Sequence, residues 1–311
     1  MSLTEHITSP SDCTVGICAT GQAEDTPALV SLVLAESFPE GLQLKKVIVV
    51  ASECSETTVS KLRAIQKQEN RVQLVSEEVR HGKADAINKI LTQAKGDMIV
   101  FVNSDAHPQS GAISHLLSIL TADGRVGAVS AMPVTQRAAG VAFSIADLMW
   151  ATHNQCSLTL NHMNLSNHTC DELVAFRSKA LTLLPEGLVN DGAFMASTAR
   201  RKGYTVKFST AAKVGIETPQ RVSDLIGQRR RILFGHAQVW RRVGKPPRTV
   251  ESLLVFSPSI GLRLLTTTVS RCPRYLLVLP VAVVTEFVAS VLAVWDGLRS
   301  TKRHTVWRRF T

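Results

Sequence analysis

The six cysteines of this chain (13, 18, 54, 156, 170 and 272) form no C-x-x-C pair. Neither a zinc template nor a disulfide framework is signalled, and a reducing, cytosolic setting is the simpler expectation. No G-x-G-x-x-G follows the first strand candidate: Gly16 lies inside it and Gly21 stands alone. The glycine cradle of a dinucleotide pyrophosphate is therefore missing, and a P-loop is missing too. Met1 to Asp12 is polar and lacks the charged start and apolar middle of a signal peptide. No internal repeat or low-complexity segment appears. Acidic residues are in deficit, 25 against 35 Lys and Arg in 311 residues, which leaves a formal net charge of +10. That sign calls for an anionic partner: nucleic acid, an acidic membrane surface or a phosphorylated substrate. The arginines gather late in the chain beside apolar runs, which favours the membrane over nucleic acid.

What is present is organised around Arg80 to Pro108. Ala84, Ala86, Ile87, Ile90, Leu91 and Ala94 recur at helical spacing, so an amphipathic helix packs there on a sheet. Gly96-Asp97 punctuates it. Met98 to Val102 is a short, β-branched apolar run, as expected of a parallel strand buried on both faces. Asn103, Ser104 and Asp105 follow at its carboxyl end, where open α/β sheets bind ligands. A carboxylate at that place suits Mg²⁺ or Mn²⁺ held against a diphosphate. Taken alone, Asp105 reads equally well as the cap of the next turn. Upstream, Cys13 to Ala19, Lys46 to Ala51 and Val72 to Val75 are strand candidates, with helices opening at Pro27 and Thr58. Strand and helix alternate, which gives a parallel, doubly wound half.

The segment G-K-A-D-A-I-N, a strand, then N-S-D-A-H-P resembles the family 2 glycosyltransferases, whose pattern is G-K-x-x-A-L-N followed by a strand ending in D-A-D. The resemblance implies a GT-A fold, an α/β domain with a mostly parallel sheet flanked by helices, over residues 13–245. It also implies a nucleotide-sugar donor (a UDP- or GDP-sugar) and a metal, Mg²⁺ or Mn²⁺, held through Asp105. Asn103 stands where the first Asp of the pattern would be. A second register reads Asp105-Ala106-His107 as D-x-H, with His107 a metal ligand, and both registers stay open. Lys83 and Asn103 fall on the donor side. Glu24 stands as a remnant of the Asn-Glu pair that ends the family's first strand. Ala51 and Ser52 replace its base-recognising acidic pair.

Further along, D-E-L-V-A-F-R (Asp171 to Arg177) resembles the acceptor-side strand G-E-L-x-A-F-R. Asn190-Asp191 stands in place of the E-D pair, which makes Asp191 the general base by resemblance and Asp171 or Glu172 the next candidates. Read from the residues alone, Asp191 is an N-cap of the helix Ala193 to Arg201. Q-R-R-R-I (Gln228 to Ile232) resembles the Q-x-x-R-W motif of a synthase-like branch, and implies that Gln228 and Arg231 contact the donor diphosphate. The plainer reading of the same arginines is a basic helix face. His153, His162, His168, Cys156 and Cys170 fall close together without zinc spacing, and packing or surface roles are expected for them.

Leu276 to Val294 carries only one charge, Glu286, and is long enough to span a bilayer. Ser252 to Val269 is a weaker apolar stretch. Residues 246–298 are therefore expected as membrane-associated helices, either a hairpin turning at Arg271-Cys-Pro-Arg274 or helices lying in the interface, with a buried core helix the plainer reading of 276–294. A basic tail, 299–311, follows. The expectation is an inverting transferase at the membrane with its catalytic domain cytoplasmic, acting on a polysaccharide, glycolipid or lipid-linked acceptor. The alternative is a non-catalytic membrane scaffold on a decayed transferase fold.

Overall fold

The computed structural model describes residues 11–21, 23–299 and 304–305. Most of the polar tail and of the basic tail, including Lys302, Arg303, Arg308 and Arg309, lies outside them. The strands are β1 (Ser11–Thr20), β2 (Leu42–Ser52), β3 (Val72–Glu77), β4 (Met98–Asn103), β5 (His107–Pro108), β6 (Val126–Thr135), β7 (Leu173–Arg177) and β8 (Thr205–Ile216). The helices are α1 (Thr26–Ala35), α2 (Glu56–Gln68), α3 (Lys83–Gln93), α4 (Ala112–Ala122), α5 (Val141–His162) and α6 (Asp191–Arg201), then α7 (Val222–Val243), α8 (Val250–Phe256), α9 (Pro258–Arg271) and α10 (Tyr275–Leu298).

One eight-stranded sheet runs in the order β3-β2-β1-β4-β7-β6-β8-β5. Its first half is parallel, as the strand and helix alternation requires. The second half is mixed: β7 is antiparallel to both β4 and β6, whereas β6 and β8 are parallel. Val15, Ile17, Val47, Val49, Val100 and Val102 pack on one face of the sheet; Ile48, Ile99 and Phe101 face the other, with α3. Burial on both faces explains why these strands are continuous apolar runs. Strand β8 continues well past the expected Phe208. Residues 210–212 bulge out between the pairs Ser209–Ala131 and Lys213–Met132, and pairing then resumes as far as Ile216.

The C-terminal helices are built onto this domain. Helix α10 packs chiefly against α7 and α5, burying Ala282, Thr285, Ala289 and Ala293 and turning its large apolar residues outward. Small residues on the inner face let the helix approach closely. Two ion pairs fasten it. Arg229 of α7 takes Glu286 in a fork, Nε to Oε2 and Nη2 to Oε1, each 2.8 Å, and reaches Glu251 of α8 as well. Arg230 takes Asp296, which also accepts from His304. These attachments lie about 15 Å apart along the α10 axis at 1.5 Å per residue. The single charge of the apolar run is thus an anchor to the domain.

Arg229→Leu leaves Glu251 and Glu286 facing each other without a counter-charge. Urea titration of the full chain in mild detergent should then show a loss of about 3 kcal/mol, the lower end for a broken buried pair. Arg229→Leu combined with Glu286→Leu should recover part of that loss. Strictly additive single losses would show that α10 is not held by this pair.

Candidate functional site

The parallel half brings the carboxyl ends of β1, β2 and β4 to one side of the sheet, and a cavity of about 420 Å³ opens there. Cys18, Thr20, Ser52 and Arg80 line one end. Asn103, Ser104 and Asp105 follow β4. Because β7 runs antiparallel to β4, with Val102 opposite Leu173, the residues just before β7 meet those just after β4. Asn103 N donates to the Glu172 carbonyl at 3.0 Å, and its Nδ2 donates to Glu172 Oε2 at 2.7 Å. Asn103, where the family pattern has an acid, therefore orients Glu172 through a bond that a carboxylate at that position would not donate.

Asp191 enters from the start of α6. The sequence alone reads it as the N-cap, but the cap is Asn190, whose Oδ1 accepts from Ala193 N at 3.1 Å. Asp191 is the first helical residue, and its buried carboxylate faces into the cavity. Lys83, at the first turn of α3, reaches it at 2.9 Å and Asp171 at 3.9 Å. Two glycines permit this crowding. A methyl group on Gly192 would sit 1.6 Å from Asp171 Oδ1, and one on Gly235 of α7 would sit 2.8 Å from Asn190 Cβ. Helix α7 also holds the loop before Asp191: Gln238 Oε1 accepts from Val189 N at 3.0 Å, and its Nε2 donates to the Gly187 carbonyl at 3.2 Å.

The electrostatics follow from that packing. Burial, then Asp191, pushes the Asp171 carboxyl up to about 8. Burial, then Asp105, pushes Glu172 up to about 7. Burial alone would lower the Lys83 ammonium pKa, but Asp191 and Asp171 outweigh it and hold that pKa above its ordinary value. Burial lowers Arg231, with Asp191 and Asp171 opposing that shift. Its Nη2 donates to the Val189 carbonyl at 3.5 Å.

Of the residues singled out from the sequence, Lys83, Asn103, Asp105, Asp191, Gln228 and Arg231 line this one cavity. Glu24 sits in the exposed turn before α1, and His107 pairs with Gly215 through the short strand β5; neither lines the cavity. Asp171 and Glu172, second choices from the sequence, stand at its centre. Their signal was an acidic pair directly before a short apolar run, but its meaning depended on the direction of β7. Arg229 and Arg230, taken for a basic helix face, are instead paired and largely buried. His153 and His168 do pack in the interior, joined by His236 of α7 at 3.4 Å between Nε2 atoms, whereas His162 is exposed. Burial brings both His153 and His236 down to about 4.

Among the described residues no three His, Cys, Asp or Glu side chains are grouped as a metal cage. Mg²⁺ and Mn²⁺ do not need one, since one or two carboxylates with substrate phosphates and water suffice. Asp105 with Glu172 fits that requirement. The acid strength that Glu172 loses to Asp105 marks an excess of negative charge that a cation would relieve.

The fold is of the GT-A type. It superposes with a TM-score of 0.64 on the mannosyltransferase PcManGT of Pyrobaculum calidifontis, solved with GDP-Man and Mn²⁺, at 20% identity over 94% of this chain and 89% of that one. It superposes on GalNAc-T7, solved with UDP, GalNAc and Mn²⁺, with a TM-score of 0.54 at 14% identity over 75% of this chain and 48% of that one. No curated protein sequence matches significantly. The family model described as glycosyltransferase like family 2 matches residues 10–235. The chain belongs to this glycosyltransferase family 2-like family.

Proposed function

We propose that the chain is an inverting, metal-dependent glycosyltransferase that moves a sugar from a nucleotide-sugar to a hydroxyl acceptor at a membrane surface. The observation that carries this reading is Asp191. It is a buried carboxylate held 2.9 Å from Lys83 and sharing one cavity with the Asn103–Asp105 strand end. The donor is a UDP- or GDP-sugar, a reading supported by the GDP-Man held by one structurally similar protein and the UDP held by the other. Asp105, with Glu172 beside it, would hold the Mg²⁺ or Mn²⁺. When bound, that ion supplies positive charge against the diphosphate. Gln228 and Arg231 project from α7 toward the same cavity, and an arginine there can take a diphosphate through two parallel bonds.

In the transfer itself, the acceptor oxygen forms a bond to the anomeric carbon as the bond from that carbon to the diphosphate breaks on the opposite face. The acceptor proton passes to Asp191, and the nucleoside diphosphate leaves with the bonding pair, its charge met by Arg231. The Lys83 ammonium lies 2.9 Å from the Asp191 carboxylate that would receive that proton. Two of the positions that depart from the family pattern have defined work, Asn103 orienting Glu172 and Asn190 capping α6. That favours an active site over a decayed fold.

Helix α10 is long and apolar enough to cross a membrane. Its two ion pairs to α7 support the in-plane alternative, with the outer face of α10 in the interface and the domain on the cytoplasmic side.

Three measurements test this function. Asp105→Ala should abolish Mn²⁺-dependent donor binding in calorimetry, and unchanged affinity would remove Asp105 from the metal site. Asp191→Asn should keep donor binding while transfer falls roughly 10²-fold or more, the scale of a lost general base. Transfer at the parent rate would leave Asp191 a structural residue. The third measurement is pH dependence. Below pH 7 Glu172 holds a proton that a metal must displace, so Mn²⁺ affinity should rise as pH passes upward through 7 and flatten in Glu172→Gln. In the metal-free chain the raised Asp171 and Glu172 carboxyls retain protons that the unfolded chain has released. Their contribution to stability should therefore fall as pH rises from about 4 to about 8.

A further inference from the structure

The cavity does not end at the carboxylates. It continues between α5, α8, α9 and α10, where its walls are Leu148, Leu254, Leu265, Leu279, Ala282 and Val283. Between the two halves stand His153, His168 and His236, kept uncharged by burial, and Arg229, already engaged by Glu251 and Glu286. The inner half thus presents hydrocarbon, neutral imidazole and the mutually paired Arg229, Glu251 and Glu286. Its mouth is also apolar. Val283 lines the cavity and yet is 58% exposed, so the wall runs out onto the outer face of α10. There it joins Leu277, Val284, Phe287 and Val294, and the neighbouring helices add Val255 and Leu262, all more than half exposed. A contiguous apolar face of this kind marks a docking surface. Trp295, half exposed with the Arg299 guanidinium 4.3 Å above its ring, ends the helix with the pairing typical of a lipid headgroup boundary. A protein partner would cover the face but would leave the apolar tunnel behind it without a purpose.

We propose that the acceptor is lipid-linked: its hydrocarbon chain enters from the bilayer past Val283 and lies in the apolar half of the cavity, which delivers a hydroxyl-bearing head to Asp191. The tail site stands on the cavity itself. The fate of the head rests on the glycosyltransferase reading above. A hydroxyl head, and not a phosphate, follows from the base, because an ionised phosphate oxygen needs no proton removed and because Arg229 is already neutralised.

The test uses the full chain in phosphatidylcholine nanodiscs and an octyl glucoside bearing a diazirine at the chain terminus. Photolysis and mass spectrometry should place adducts on Leu254, Leu265 or Leu279. Excess octyl glucoside should compete them away, and methyl glucoside should not. Adducts confined to Leu277, Val284 and Phe287, or none at all, would overturn the tail site. Octyl phosphate competing where octyl glucoside does not would overturn the hydroxyl head. In Val283→Trp, which narrows an exposed mouth and so leaves the fold intact, interior adducts should fall at least tenfold; unchanged adducts would refute entry at Val283. Nucleotide release from UDP- and GDP-sugars is measured in parallel. Interior adducts without any release would uphold the lipid site and sink the glycosyltransferase reading, whereas release with adducts only outside would do the reverse.

Discussion

The site exists because β7 runs against β4. In the parallel half, each strand delivers its carboxyl end to the ligand side, as in any open α/β sheet. Reversing β7 brings an amino end to the same place, and with it Asp171 and Glu172. Had β7 been parallel to β4, the two acids would sit at the far edge of the sheet, with Arg177 in their place. The Asn103–Glu172 bonds and the approach of Lys83 to Asp171 follow from that single reversal.

Helix α7 does a comparable job for the C-terminal third. Three consecutive arginines project about 100° apart and so serve three different surroundings. Arg231 turns to the site carboxylates, Arg229 to Glu251 and Glu286, and Arg230 to Asp296. Their partners lie on α6, α8 and α10, so one helical turn fixes the site and both flanking helices together. Glu251 shows how strongly the charges are coupled. Burial would raise its pKa, but Arg229 brings it down to about 2. Such buried pairs add little net stability against an apolar replacement, yet they are costly to break singly, which makes them devices for fixing arrangement.

Periodicity made much of this legible. The run Met98 to Val102 is β4 almost to the residue, the apolar spacing of 84–94 is α3, and the Gln228–Arg231 separation does put both side chains into one cavity. These are local properties, set by which side of an element is buried. What the sequence withheld is relational. The direction of β7, the partners of Arg229 and Arg230, and the gathering of His236 with His153 and His168 all depend on contacts between distant segments. The choice of Asn190 over Asp191 as cap turned on one residue of helix register, below the resolution of any pattern. Leu276 to Val294 looked apolar all round because Ala282, Ala289 and Ala293 count as apolar, although their small size marks the face that packs on α7.

The distribution of protons in the site follows from its crowding. Asp105, Asp171, Glu172 and Asp191 share this part of the cavity with Arg80, Lys83 and Arg231, so four ionised carboxylates would outnumber the cations there. The raised pKa values of Asp171 and Glu172 show where the chain relieves that charge, by keeping protons on the two acids nearest β7. Asp191 has the Lys83 ammonium 2.9 Å away. The environments thus divide the acids by role. Glu172, beside Asp105, is the acid proposed to give up its proton when a cation arrives, and Asp191, beside Lys83, the one proposed to take a proton from an acceptor. Pairs of titratable groups separated in this way are how a protein assigns acid and base work among chemically identical side chains. Here the separation is produced by one strand reversal and one lysine at the start of α3.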